Sequence, residues 1–291
     1  MPSESMNIQW YPGHMTKTRR QIEADLKQVD AVCEIVDARI PFASRNPDID
    51  AICGEKPRIV ILNRMDLADP EATKRWTAYF KSKGMAAVPT DCKSRQGIGN
   101  FQPAVRALLK EKIERNAARG MNRPVRVMVV GIPNVGKSTL INQISGRKGA
   151  KAENRPGVTR GKQWVTVDSG LLLLDTPGIL WPKFEDPEVG MMLAYTGAVK
   201  DGILDVEELA CHLIEVLHHR YPQALKDRYG LEAEQGTPGY ELLQICGRKR
   251  GYLVSGGEIN TERMAIVLLD EYRNGKLGRF TLEEPGEEKN G

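Results

Sequence analysis

Gly131-Ile132-Pro133-Asn134-Val135-Gly136-Lys137-Ser138 places two glycines, a lysine and a hydroxyl at the spacing that grips phosphate. Gly131 and Gly136 permit backbone angles and a close approach that a Cβ would forbid. The loop N–H groups and the start of the following helix then face a polyanion. Lys137 is positioned to reach β- and γ-phosphates, and the Ser138 hydroxyl to ligate Mg²⁺, with Val135, Gly136 and Thr139 completing the cradle. Downstream, Leu171-Leu172-Leu173-Leu174 delivers Asp175-Thr176-Pro177-Gly178. Asp175 stands where a second metal-holding carboxylate belongs, and Gly178 can turn its N–H toward a γ-phosphate. Between the two motifs lies the basic loop Arg155-Pro156-Gly157-Val158-Thr159-Arg160-Gly161, whose Thr159 is the candidate second hydroxyl on Mg²⁺.

A third group of residues bears on which base accompanies those phosphates. Arg58-Ile59-Val60-Ile61-Leu62 ends in Asn63-Arg64-Met65-Asp66, the form of the Asn-Lys-x-Asp motif that reads guanine. A carboxylate at Asp66 can accept from guanine N1–H and N2–H₂, an edge that adenine lacks. Asn63 is expected to support the loop and the O6/N7 side, and the stem of Arg64 to lie along the base in place of the usual lysine. Thr90-Asp91-Cys92-Lys93-Ser94 follows the next strand and resembles the Ser-Ala-Lys loop that closes over guanine, with Cys92 where alanine is usual.

These loops need an α/β sheet to carry them. Apolar, β-type runs predict strands at Val32–Asp37, Arg58–Leu62, Ala86–Pro89, Val125–Val130, Gln163–Val167 and Leu171–Leu174. Helices are expected at Thr16–Val29, Pro70–Lys83, Asn100–Ala118 and Lys137–Ile144. Beyond Lys183 the strand signals stop, and helical patterns at Asp205–His219, Tyr240–Cys246 and Asn260–Asn274 predict an all-helical module. The expected division is residues 1–183 as the nucleotide-binding domain with its N-terminal helix and residues 184–281 as a helical domain in contact with RNA. Residues 282–291 read as a polar, disordered tail.

Along the chain the base motif and base-closing loop precede the phosphate loop, the reverse of the usual order. A doubly wound sheet permits this, because ligand loops gather at the carboxyl ends of the strands whatever order the chain visits them. In that order, Asn63 to Asp66, Gly131 to Ser138, Pro156 to Thr159 and Asp175 to Gly178, with Trp10-Tyr11-Pro12-Gly13-His14-Met15 at the start, resemble the circularly permuted GTPases of ribosome assembly, and within them the ribosome biogenesis GTPase A family. The resemblance implies a circularly permuted P-loop GTPase fold, Mg²⁺, GTP hydrolysis, and action on the immature large (50S) ribosomal subunit through rRNA and ribosomal proteins. It also implies that His14 contributes near the switch region, and that Asn134 ligates K⁺ as in related GTPases.

Hydrolysis itself is informative by omission. Ras-like GTPases carry a glutamine after the switch glycine to orient water, whereas here Ile179 and Leu180 follow Gly178. Slow intrinsic turnover is expected, with acceleration by the subunit; a GTP-gated binding module with negligible turnover is the alternative. Arg155 and Arg160 are further candidate charge donors, and the residues around His14 also read as a turn packed on the domain.

Composition adds limits. At 291 residues and 41% hydrophobic, the chain has room for an α/β domain and a smaller module. A net charge of +4 is mild, and Arg248-Lys249-Arg250 is the sharpest basic cluster. No apolar run reaches membrane-spanning length and no signal peptide is evident, so a soluble cytoplasmic protein is expected. The scattered Cys33, Cys53, Cys92, Cys211 and Cys246 read as reduced thiols. His212, His218 and His219 read as a polar helix face rather than a metal site.

Overall fold

The computed structural model describes residues 22–146, 163–176, 186–199 and 205–286. They fall into two compact units, one comprising residues up to 176 together with 283–286, the other residues 186–282.

The first unit is built on six strands: β1 (Ala31–Asp37), β2 (Arg58–Asn63), β3 (Ala86–Pro89), β4 (Val125–Gly131), β5 (Gln163–Asp168) and β6 (Leu171–Asp175). Their order across the sheet is β3-β2-β1-β4-β6-β5. All neighbours are parallel except β5, which runs antiparallel along the edge beside β6. Every residue of β1 is buried, as a central strand of a parallel sheet requires. Edge strand β5 buries Val165 but leaves Gln163 and Thr166 exposed.

Helices α1 (Asp48–Cys53), α2 (Pro70–Ser82), α3 (Phe101–Leu108), α4 (Lys110–Ala118) and α5 (Lys137–Ser145) accompany the strands. Asp69 starts α2 by accepting from the N–H groups of Glu71 and Ala72, with Pro70 preset for the first turn. That helix buries Trp76 and Phe80 against Val36, Val60 and Leu62. A neighbouring cluster joins Ile22, Leu26 and Val29 to Val32, Met128, Val130 and Leu174.

Two differences from expectation have physical causes. The helix expected over Asn100–Ala118 is broken at Leu109 (φ −106°). Before the break Phe101 and Val105 are buried; after it no residue of α4 is, because Lys110, Glu111, Lys112, Glu114 and Arg115 replace the apolar stripe with charge. The segment expected to be a disordered tail also begins differently. The Glu283 carboxylate accepts from the N–H groups of Phe42 and Ala43 at 2.7 and 2.9 Å, and its carbonyl accepts from Trp76 Nε1 at 3.0 Å. Arg75 and Glu284 pair bidentately at 2.9 and 2.7 Å.

The second unit comprises α6 (Pro187–Tyr195), α7 (Val206–Arg220), α8 (Pro222–Tyr229), α9 (Gly239–Lys249) and α10 (Thr261–Arg273). One isolated antiparallel bridge, Leu253 to Ile259, interrupts its helical character. Helices α7 and α9 approach closely at Gly239, where a Cβ would lie 2.2 Å from the Cys211 carbonyl. The carboxylate of Glu271 on α10 accepts from Arg228 and, at 2.8 Å, from the Tyr229 hydroxyl, tying α10 to α8.

Candidate functional site

Parallel pairing brings the carboxyl ends of β1, β2, β3, β4 and β6 to one edge of the sheet. Asp37 lies opposite Asn63, Ile35 opposite Gly131, and Val129 opposite Asp175. Asp37 and Asp175, at the two ends of this stretch of chain, thus end in one row.

Asn63 is the hub of that row. It is 3% exposed. Its Nδ2 donates to the Val135 carbonyl at 2.7 Å, which fixes the phosphate loop. Its Oδ1 accepts from Cys92 N at 3.1 Å and faces the Thr90 hydroxyl at 3.4 Å, which fixes the base-closing loop. Gly136 sits directly against it at φ +103°, and a Cβ there would lie 2.3 Å from Asn63 Nδ2. Glycine is required at that position twice over, by angle and by space.

Arg64 extends the connection. It takes φ +60°, uncommon for a residue with a side chain, and its Nη2 donates to the Asn134 carbonyl at 2.9 Å. Asn134 is itself at φ +61°, exposed at the crest of the loop. Asp66 is exposed on its outer side, yet partial burial and the neighbouring Asp91 carboxylate push its pKa up. Asp91 is held in place by accepting from Lys93 N and Ser94 N at 2.8 and 3.2 Å, which shapes the base-closing loop as an Asx turn. Burial also drives the Cys92 thiol up to about 12, so it behaves as a small apolar residue.

On the phosphate side, α5 starts at Lys137, with Ser138 and Thr139 half-buried in its first turn. The Lys137 ammonium, 7% exposed, contacts Asp175 Oδ1 at 2.6 Å and also donates to the Thr176 carbonyl. The Thr176 hydroxyl donates to the Val129 carbonyl at 2.7 Å, holding the chain beside β4 as it leaves β6. Phosphate-loop lysine and strand-end carboxylate are therefore joined directly.

Asn63, Arg64, Asp66, Cys92, Asn134, Val135, Gly136, Lys137, Ser138, Thr139 and Asp175 are thus all carried at this edge, on strand ends, on the loops that follow them and on the first turn of α5. His14, Thr159 and Gly178, with Arg155, Arg160 and Ile179, lie outside the described residues. Sequence reasoning missed Asp37 and Arg39. The signal available was a polar side chain closing a buried strand, as Asn63 and Asp175 do.

A parallel sheet with a glycine–lysine–serine loop, a strand-end aspartate and an Asn-x-x-Asp loop tied to both defines a nucleotide-binding GTPase domain. Comparison with known proteins agrees. Residues 126–236 match the family model described as 50S ribosome-binding GTPase. Ribosome biogenesis GTPase A from Bacillus cereus is 48% identical over 283 residues, 97% of this chain and 95% of that one. A GDP-bound structure of TM YlqF superposes with a TM-score of 0.65 at 29% identity, covering 91% of this chain and 99% of that one. A GNP-bound YlqF from T. maritima gives 0.61 at 29% identity, covering 93% and 99%.

The chain belongs to the ribosome biogenesis GTPase A family, and it is a GTPase. Among the described residues, no helix is long and apolar enough to cross a membrane.

Proposed function

We propose that this protein is a circularly permuted, guanine-specific GTPase of the cytoplasm that acts on the immature large ribosomal subunit and is stimulated by it. The observation that carries the reading is the position of Asn63, which binds the phosphate loop at Val135 and the base-closing loop at Cys92 with one side chain. Asp66 reads the guanine edge, Arg64 lines the base, and Lys137 exchanges its Asp175 and Thr176 partners for phosphate oxygens. Gly178 offers its N–H to the γ-phosphate.

Mg²⁺ suits the donors present. The Ser138 hydroxyl and Asp175 carboxylate are hard oxygens, and Asp175, 6% exposed, already carries a cation on Oδ1. Thr159 supplies the second hydroxyl. The ion would neutralise charge on the phosphates. K⁺ at the Asn134 amide oxygen adds positive charge where glutamine is missing after Gly178, and His14 is the residue in cis that docking brings to the reaction.

The helical unit follows the switch segment directly in the chain, so ordering of that segment by γ-phosphate can be transmitted to it. Its exposed Arg248 and Lys249 suit an rRNA backbone. Similarity over 97% of the chain to a relative named ribosome biogenesis GTPase A supports the ribosomal partner. Co-sedimentation tests this reading. The protein with a non-hydrolysable GTP analogue is expected to pellet with 50S particles and to release them in GDP. Equal pelleting in both nucleotides, or with 30S particles alone, would overturn it.

A further inference from the structure

Arg64 has a second partner that the nucleotide chemistry leaves unexplained. Asp37 closes β1, lies opposite Asn63 in the sheet and is 4% exposed. Its Oδ1 accepts from Arg39 Nε at 2.9 Å and from the Arg39 backbone N–H at 3.0 Å, and its Oδ2 accepts from Arg39 Nη2 at 2.7 Å. Arg39 is fully buried. A bidentate pair of this kind fixes a carboxylate rigidly, because guanidinium and carboxylate planes must match. The same Oδ2 lies 3.7 Å from Arg64 Nε, while the far end of Arg64 donates to the Asn134 carbonyl. Arg64 therefore spans two anchors, one on β1 and one on the phosphate loop. A lysine carries a compact point charge on a flexible stem, whereas the planar guanidinium can meet both anchors at once.

The geometry points to Asp37 as a positioning residue: clamped by Arg39, it holds the Arg64 side chain along the wall of the guanine site. A long side chain loses rotamer freedom when a base packs on it, and one already held loses less on binding. The buried Arg39 balances the charge of Asp37, so the carboxylate orients Arg64 without adding net repulsion near the phosphates. This inference rests on Asn63 to Asp66 being the base site.

The test is a double-mutant cycle on the full chain, with affinity measured for guanosine and for GDP. Asp37→Asn is expected to weaken both ligands by a similar factor, roughly three- to tenfold, since the effect lies at the base and not at the phosphates. In an Arg64→Ala background the same substitution is expected to cost nothing further, because Asp37 acts through Arg64. Should Asp37→Asn melt below the assay temperature, Asp37→Glu takes its place, keeping the charge while displacing the carboxylate by one methylene. Unchanged guanosine affinity, or losses that add in the double variant, would overturn the assignment. Asp66→Asn separates the two layers. If it leaves guanosine binding intact, the base-site reading falls and the role of Asp37 falls with it. If it weakens guanosine while Asp37→Asn does not, only the positioning role is discarded.

Discussion

The Asn63 amide gives Nδ2 to the Val135 carbonyl and uses Oδ1 for the base-closing loop, so reading of the base falls chiefly to Asp66. Asp66→Asn replaces a two-site acceptor by one acceptor and a donor. In a competition titration the variant is expected to lose at least tenfold in guanine affinity and to gain for xanthine, an order-of-magnitude expectation for a lost charged hydrogen bond. Retained guanine preference would remove Asp66 from the site. Acid should act similarly. The pKa of Asp66 is raised by burial and by Asp91, so the acceptor form is lost as pH falls while an ordinary surface aspartate is still ionised. Guanosine affinity measured across an acid series is expected to decline from above the usual aspartate range, and the decline should disappear in Asp66→Asn. Gly136→Ala tests the hub from the other side. Its Cβ would fall 2.3 Å from Asn63 Nδ2 at φ +103°, so GDP affinity should drop by roughly tenfold or more while the sheet persists by circular dichroism.

Among the elements, the C-terminal return is the contact most exposed to test. The Glu283 carboxylate serves two backbone N–H groups just beyond β1, and its own carbonyl serves Trp76. Glu283→Ala is expected to destabilise this local contact by about 2 kcal/mol, since charged hydrogen bonds to backbone donors are lost. Amide exchange at Phe42 and Ala43 would accelerate correspondingly; unchanged exchange would mean the carboxylate adds nothing. This return was not legible in the sequence, because Glu283 and Glu284 in an acidic, proline-containing stretch look like solvated tail until their partners, 207 to 241 residues earlier, are known. The six strands were legible, since Val-, Ile- and Leu-rich runs ending in Asn63, Gly131 and Asp175 carry both pattern and chemistry. Short helices such as α1 and α8 were missed, having too few turns for a period to appear. The Asp37–Arg39 pair was missed because its meaning depends on register with β2.

At the scale of the whole molecule, hydrolysis is expected to be a gated event. With Ile179 after the switch glycine, no side chain there can orient water, so intrinsic turnover should be slow. If K⁺ at Asn134 supplies the missing charge, turnover should be several-fold faster in K⁺ than in Na⁺, and Asn134→Ala should abolish the difference. Equal rates in the two salts would shift attention to Arg155 and Arg160. By linkage, a subunit that binds the GTP form more tightly must raise GTP affinity by the same factor. The most direct test of the account is the rate of GTP hydrolysis by the purified protein alone, with 30S particles and with 50S particles. The account predicts slow turnover alone and with 30S, and at least tenfold acceleration by 50S, an order-of-magnitude expectation for a completed transition-state site. A rate indifferent to 50S particles would contradict it.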